Sequence, residues 1–166
     1  YKTYTRGSGN DMEDWKAGVA IPGEQPDWAP DGTQIVYRSG RGEEQGIWIS
    51  NADDGNPHRI TKDGSDSFPR WSPDGEAIAI HREVDGNVDV YVLTLATQQL
   101  QRLTEDPAID TEPAWAPDGR SIYFTSDRAG APQVYSVCLE AGARARRVTC
   151  CRSLLEKLVV EITMSA

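Results

Sequence analysis

Trp71-Ser72-Pro73-Asp74-Gly75 decides the fold, because two near-copies of this stretch occur elsewhere in the 166-residue chain. The copies are Trp28-Ala29-Pro30-Asp31-Gly32 and Trp115-Ala116-Pro117-Asp118-Gly119, and successive tryptophans are 43 and 44 residues apart. A fixed period of about forty residues is typical of the four-stranded blades of a β-propeller. The signature positions of the repeat are Trp28, Asp31, Gly32, Trp71, Asp74, Gly75, Trp115, Asp118 and Gly119.

Three strand-like segments follow each tryptophan at nearly constant offsets. They alternate apolar and polar residues, as half-buried strands do. In chain order they are centred on 35–37, 47–49 and 59–61, on 78–80, 90–92 and 102–104, and on 122–124, 134–136 and 147–149. With the tryptophan segment as the first strand, each unit has four antiparallel strands, and the fold class is all-β.

The Pro-Asp-Gly part of each repeat predicts a tight turn between the first two strands. Proline fixes φ, aspartate bonds to nearby backbone, and glycine accepts a positive φ. A four-stranded unit of this length buries neither face alone, so each unit needs neighbours. We therefore expect the tryptophan rings to pack between units.

Composition excludes several classes of partner. The net charge of −9 repels phosphate backbones, so a nucleic-acid partner is not expected. No apolar run is long enough to insert into a membrane. Three cysteines, Cys138, Cys150 and Cys151, do not support a disulfide framework. No charged-then-apolar leader precedes Tyr1, which leaves export undecided.

The best-preserved unit combines Trp-Ala-Pro-Asp-Gly with Ile122-Tyr-Phe-Thr-Ser-Asp-Arg-Ala-Gly130, then Gln133-Val-Tyr and Arg147-Val-Thr. This combination resembles the TolB-like β-propeller repeats. The resemblance implies three blades within 26–149, at about 26–68, 69–112 and 113–149, in an extracytoplasmic bacterial setting. Residues 1–25 are expected to belong in part to a preceding blade, and residues 150–166 form a tail outside the repeat.

The tail departs from the repeat because a fourth tryptophan, due near Val159, is missing. Ser153 and Glu156 form a capping-box pattern, and the apolar residues from Leu154 to Ile162 have helical spacing. Alternation from Leu158 to Met164 also fits a strand. We favour a short C-terminal helix.

Three blades do not close a ring, since propellers usually have four to eight. The chain is then a piece of a longer propeller, one half of a self-associated ring, or an open stack whose ends are covered by its terminal segments. An uncovered blade exposes apolar surface and strand edges. We therefore expect self-association or further blades.

Motifs for catalysis and cofactor binding are absent from the sequence, so neither an enzyme nor a cofactor is predicted. The two histidines, His58 and His81, lie beside no nucleophile motif and are expected to pack or face solvent. Asp85-Gly86-Asn87-Val88-Asp89 begins like a calcium loop but lacks its later ligands. It is interpreted as a turn, and no metal site is predicted.

The loops between second and third strands, and those that lead to the next blade, share one edge of a propeller. We call this edge the loop rim, and it comprises residues 38–46, 62–70, 81–89, 105–113 and 125–133. Clustered loops of mixed charge are common in protein recognition, which predicts a protein or peptide partner. The candidate contact residues are Arg41, Asp66, Arg70, Arg82, Asp110, Asp127 and Arg128. For Ser126-Asp127-Arg128, an internal ion pair that braces the loop is favoured over direct contact with a partner.

Two other functions remain open at this point. The same repeats occur in the propellers of prolyl-oligopeptidase-like hydrolases, whose catalytic domain would lie outside this chain. A truncated or artificial repeat product without its own ligand is the other alternative. The favoured interpretation is a non-enzymatic binding or scaffolding module.

Overall fold

The computed structural model describes residues 23–39, 44–53, 55–140 and 143–148. Within these ranges the chain forms twelve strands and no α-helix. The strands build three four-stranded antiparallel sheets, one for each copy of the repeat, which confirms the predicted all-β architecture of incomplete propeller blades. The expected preceding blade strands before residue 23 and the tail helix after residue 150 lie outside the described residues.

The three sheets repeat one strand order. The first sheet contains β1 (Glu24–Trp28), β2 (Gln34–Ser39), β3 (Gly46–Asn51) and β4 (His58–Arg59). The second contains β5 (Ser67–Trp71), β6 (Ala77–Val84), β7 (Asn87–Thr94) and β8 (Gln99–Arg102). The third contains β9 (Asp110–Trp115), β10 (Ser121–Ser126), β11 (Gln133–Cys138) and β12 (Arg146–Arg147). Each strand pairs with the next along the chain.

The Pro-Asp-Gly stretches form the same turn three times. In the second blade, Gly75 has a φ of 77° and donates its N–H to the carbonyl oxygen of Ser72 at 3.0 Å. Asp74 Oδ1 accepts the N–H of Glu76 at 3.0 Å. Hydrogen bonds of the same kind occur at Gly32 with Asp31 and at Gly119 with Asp118. The turn chemistry predicted from sequence therefore operates in every blade.

Two apolar cores join the three blades. Between the first and second blades, Val36 and Ile47 pack with Ile78 and Ile80, and all four are fully buried. Between the second and third, a cluster that includes Val90, Ile122 and Phe124 plays the same part. The tryptophans differ: Trp71 is buried in the first core, Trp115 packs partly buried against the second, and Trp28 is 40% exposed. Blades are thus held together by burial of both faces of the middle sheet.

Each first strand contains a bulge at the third residue before its tryptophan. The bulged residues are Gln25, Phe68 and Glu112, with φ of 55°, 52° and 55°. Side chains of β1 then bond to the backbone of β5: Gln25 Oε1 accepts the N–H of Phe68, and Asp27 Oδ2 accepts that of Trp71, both at 2.8 Å. The bulges accompany direct hydrogen bonds between neighbouring first strands.

Candidate functional site: the loop rim

The structure brings the described loops of the rim into contact with one another. Ser65 Oγ donates to the carbonyl oxygen of Glu83 at 3.0 Å, which joins the crossover into the second blade to that blade's β6–β7 hairpin. In the third blade, the N–H of Ile109 donates to Asp127 Oδ1 at 2.9 Å. Hairpins and crossovers therefore form one continuous edge, as antiparallel blade topology requires.

Asp66 and Arg82 form a bidentate ion pair in the second blade. Arg82 Nε lies 2.6 Å from Asp66 Oδ1, and Arg82 Nη2 lies 2.9 Å from Asp66 Oδ2. Asp66 is fully buried, whereas Asp63, at 3.4 Å from Arg82 Nε, is partly exposed. The hydrogen bond to Asp66 is the main cause that raises the pKa of Arg82 above its ordinary value. The pair fixes the crossover against the hairpin.

Asp110 and Arg128 form the corresponding pair in the third blade. Arg128 Nη2 donates to Oδ1 and Oδ2 of the fully buried Asp110 at 2.8 and 2.6 Å, and Arg128 Nε donates to Ser126 Oγ at 2.8 Å. Asp127 is exposed and accepts from the backbone of Ile109 instead. The arginine of Ser126-Asp127-Arg128 thus braces its loop through Asp110.

An aromatic ring lies beneath each of these guanidinium groups. Arg82 lies 5.5 Å from the ring centre of Tyr91, and Arg128 lies 4.7 Å from that of Tyr135. A planar cation stacked on an aromatic face and held by two carboxylate oxygens keeps little rotational freedom. The two loops are consequently fixed scaffolds.

A third buried carboxylate, Asp89, was considered in the sequence only as part of a calcium-like stretch and not as a member of an ion pair. Its Oδ2 accepts from Arg102 Nη2 at 2.6 Å, and its Oδ1 accepts from Thr104 Oγ1 at 3.1 Å. The same threonine hydroxyl accepts the N–H of Val90 at 3.0 Å, and Thr61 repeats this bond with Ile47 in the first blade. The repeated Arg-x-Thr pattern was the available signal, since a threonine fixed after the fourth strand in each blade predicts such a bond.

Exposed groups on the rim lie beside these fixed pairs. Val84 is 47% exposed at the tip of the β6–β7 hairpin, and Ile109 is 48% exposed on the crossover into the third blade. Arg70, assigned to the rim from sequence, pairs with Ala79 next to Trp71 and therefore lies toward the Pro-Asp-Gly turn, where its Nη1 donates to the carbonyl oxygen of Pro69 at 3.1 Å. Arg41 lies outside the described residues. The accessible part of the rim thus includes two apolar side chains and the exposed carboxylate of Asp127.

A cavity of about 570 Å³ adjoins the rim where the second and third blades meet. Its walls combine the crossover Thr104–Pro107 with Arg102, Arg128 and Arg144. Arg102 and Arg128 face buried carboxylates, whereas Arg144 is exposed. The concavity is open to solvent and suits a side chain or short segment of a partner.

The histidines occupy different environments. His81 lies on β6 against the third blade, where its Nδ1 is 2.6 Å from Thr111 Oγ1 and its ring is 4.9 Å from that of Phe68. Burial, with a smaller contribution from the nearby Arg38 charge, lowers the pKa of His81 to about 4. His58 is exposed at the start of β4, where its Nδ1 is 3.3 Å from the carbonyl oxygen of Asn56.

Metal-binding geometry is not found among the described residues, where no three acidic, histidine or cysteine side chains converge on one point. Asp85 and Gly86 have φ of 53° and 81°, which makes them the centre of a two-residue hairpin turn between Val84 and Asn87. In the same part of the chain, no helix is long and apolar enough to cross a membrane.

Three four-stranded antiparallel sheets, stacked through their faces with first strands adjacent, define the blades of a β-propeller. The chain belongs to the TolB β-propeller domain family, whose model matches residues 62–157.

Several proteins of this family are similar to the chain. The Tol-Pal system protein TolB of Francisella tularensis subsp. holarctica is 41% identical over 113 residues, which cover 66% of this chain and 26% of that protein. The crystal structure of TolB from Acinetobacter baumannii superposes with a TM-score of 0.68 at 34% identity, covering 76% of this chain and 32% of that one. A putative TolB from Agrobacterium tumefaciens gives 0.69 at 28% identity, covering 74% and 44%. The chain thus spans about a quarter of the length of the curated relatives it matches.

Proposed function

We propose that this chain is a non-enzymatic binding segment of a TolB-type propeller, which recognises a protein or peptide through its loop rim. The relatives named Tol-Pal system protein TolB support this function by their name and by identity above 40%. Membership in their family also favours an extracytoplasmic bacterial location. The oligopeptidase-type and ligand-free alternatives lack comparable support.

The single observation that carries the proposal is the pairing of fixed and exposed groups on the rim. Asp66 with Arg82 and Asp110 with Arg128 are buried ion pairs that hold the loops, so these four residues act on a partner through loop position. Exposed Val84 and Ile109 are apolar anchors next to charged neighbours. Rigid loops lose little entropy on binding, which favours specific recognition.

The direct contacts are assigned to the groups that a partner can reach. Asp127 keeps accessible charge on the rim, Arg41 is assigned to the same set from sequence alone, and Arg70 is left out because it lies toward the Pro-Asp-Gly turn. Large apolar side chains contribute more to protein interfaces than isolated exposed carboxylates. We therefore expect Val84 and Ile109 to matter more than Asp127.

Capture of envelope proteins tests this function. The full chain is immobilised and exposed to a bacterial envelope extract, with Val84→Asp and Ile109→Asp as rim variants. Arg120→Glu is the matched control, because Arg120 is exposed next to a Pro-Asp-Gly turn at the opposite edge of the blades. We expect each rim variant to lose about tenfold in affinity for the captured partner, or about 1.4 kcal/mol.

The control variant should retain wild-type capture. Equal capture by the rim variants and the wild type would contradict the rim assignment. Peptidase activity in the purified chain would contradict the non-enzymatic function.

A further inference from the structure

Each blade has a face that points toward the next blade along the chain, which we call the trailing face. In the first two blades this face is covered: Val36, Ile47, Ala79 and Val90 are all 0% exposed. In the third blade the corresponding strand positions are Tyr123 and Val134, which are 39% and 50% exposed. The third blade therefore exposes apolar side chains at positions where the other blades bury them.

The first strand of the following blade covers a trailing face. Strand β5 contacts β2 and β3 of the first blade, and β9 contacts β6 and β7 of the second. Trp71, the last residue of β5, lies in one core with Val36 and Ile47, and Trp115, the last of β9, packs against the core that contains Val90. The segment that follows β12 therefore corresponds in the repeat to β5 and β9, and its expected place is the trailing face of the third blade.

The chain path leads a particular segment to that place. Trp71 follows the end of β4 at Arg59, and Trp115 follows the end of β8 at Arg102, after nearly the same length of chain. The same length measured from Arg147, the end of β12, reaches Val159. The sequence around Val159 is apolar, and its nonpolar residues are Leu154, Leu155, Leu158, Val159, Val160 and Ile162.

We propose that residues 154–162 dock on the trailing face of the third blade, over Tyr123 and Val134, in the place that a further tryptophan strand takes in the repeat. This inference does not depend on the proposed binding function. Burial of the apolar side chains of this segment stabilises the folded protein by about 25 cal/mol per Å² of apolar surface removed from water. Covering the exposed apolar face of the third blade adds to this stabilisation.

A second copy of the chain is the competing occupant, as in the self-association expected from sequence, which stays a prediction. The docking segment is tethered a few residues from β12, and such tethering gives effective concentrations in the millimolar range. A second copy at micromolar concentration is at a disadvantage of about a thousandfold. On the opposite face of the first blade, Ile35 and Tyr37 are buried and only Trp28, which pairs with Ile35, is 40% exposed, so a head-to-tail dimer would have this one ring to pack against and would lack the advantage of tethering.

Disulfide cross-linking in the full chain tests the docking. The background carries Cys138→Ser, Cys150→Ser and Cys151→Ser, and the reporting pair adds Val134→Cys and Leu158→Cys. The control pair combines Leu158→Cys with Val84→Cys, because Val84 is similarly exposed but lies on the loop rim. We expect the reporting pair to form an intrachain disulfide in the monomer at least about ten times faster than the control pair.

Three outcomes would overturn the proposal: cross-links only between chains, which would assign the face to a second copy; equal rates for both pairs; or no cross-link at all. Single substitutions provide a second readout if the cysteine variants fold poorly. Leu158→Asp should increase binding of a hydrophobic dye several-fold, whereas Lys157→Asp, outside the apolar stripe, should not. A dye signal unchanged by Leu158→Asp would also contradict the docking.

Discussion

At the residue scale, two buried carboxylates organise the rim. Asp66 comes directly before β5 and Asp110 is the first residue of β9, and each meets an arginine that is stacked on a tyrosine. Burial of a lone carboxylate would cost several kcal/mol, so each acid depends on its guanidinium partner. The charges that sequence reasoning selected for partner contact thus include residues whose side chains are occupied inside the protein.

Removal of one acid should reveal this dependence. Asp110→Ala leaves Arg128, whose side chain is 17% exposed, without its bidentate acceptor, and we expect a loss of roughly 3 kcal/mol in the free energy of unfolding. Urea denaturation followed by tryptophan fluorescence measures it. Asp127→Ala is the control, since it removes one exposed acceptor and should cost about 1 kcal/mol or less. Equal losses in the two variants would show that the buried pair has no special role.

At the element scale, the contact between β6 and β9 contains the titratable His81. Its neighbours are the Thr111 hydroxyl, the Phe68 ring, the backbone N–H of Glu112 and the Arg38 charge. A cation and a buried setting both disfavour protonation, so the pKa in the folded state, about 4, lies below the ordinary value of 6.5. Between pH 6.5 and about pH 4, His81 is protonated in the unfolded chain but mostly neutral in the folded protein. Protonation therefore favours unfolding in this range, and the stabilising contribution of the neutral ring is complete only above pH 6.5.

Stability should therefore fall as the pH decreases from about 6.5 to about 4. The pKa values of Asp63 and Asp74 are lowered from 3.8 by hydrogen bonds from Ser65 and Ser72, so their contributions are lost only below this window. Urea midpoints at pH 7 and pH 5 measure the change. His81→Gln, which keeps an acceptor for Thr111, should show a smaller decrease. An identical decrease in both proteins would mean that His81 does not titrate with folding.

Sequence patterns predict the elements unequally. The strands and the Pro-Asp-Gly turns follow from alternation and from the backbone preferences of proline and glycine, which are local properties. The bulges do not follow, because Gln25, Phe68 and Glu112 share no side-chain chemistry and none of them is a residue that favours a positive φ. The loop contacts at the rim were predicted from topology. An internal ion pair was expected at Ser126-Asp127-Arg128, but its acid, Asp110, and the pair of Asp66 with Arg82 were not predicted, because Arg82 and Arg128 occupy different offsets from their tryptophans and only packing selects their partners.

At the scale of the whole molecule, the two ends of the three-blade stack differ in how much apolar surface they expose. The first blade buries Ile35 and Tyr37 but leaves Trp28 40% exposed, and the third blade exposes Tyr123 and Val134. Between these ends the rim forms a continuous edge that is fixed by ion pairs and is accessible at Val84 and Ile109. The central claim is that this edge, and not the edge of Pro-Asp-Gly turns, meets the partner.

Photo-cross-linking from single sites tests that claim most directly. A benzophenone amino acid replaces Val84 on the rim in one variant and Arg120 at the opposite edge in the other, and both are irradiated in the same envelope extract. We predict adducts of one discrete size from position 84 and none of that size from position 120. Adducts of equal yield from both positions, or from position 120 alone, would contradict the assignment of the loop rim as the binding surface.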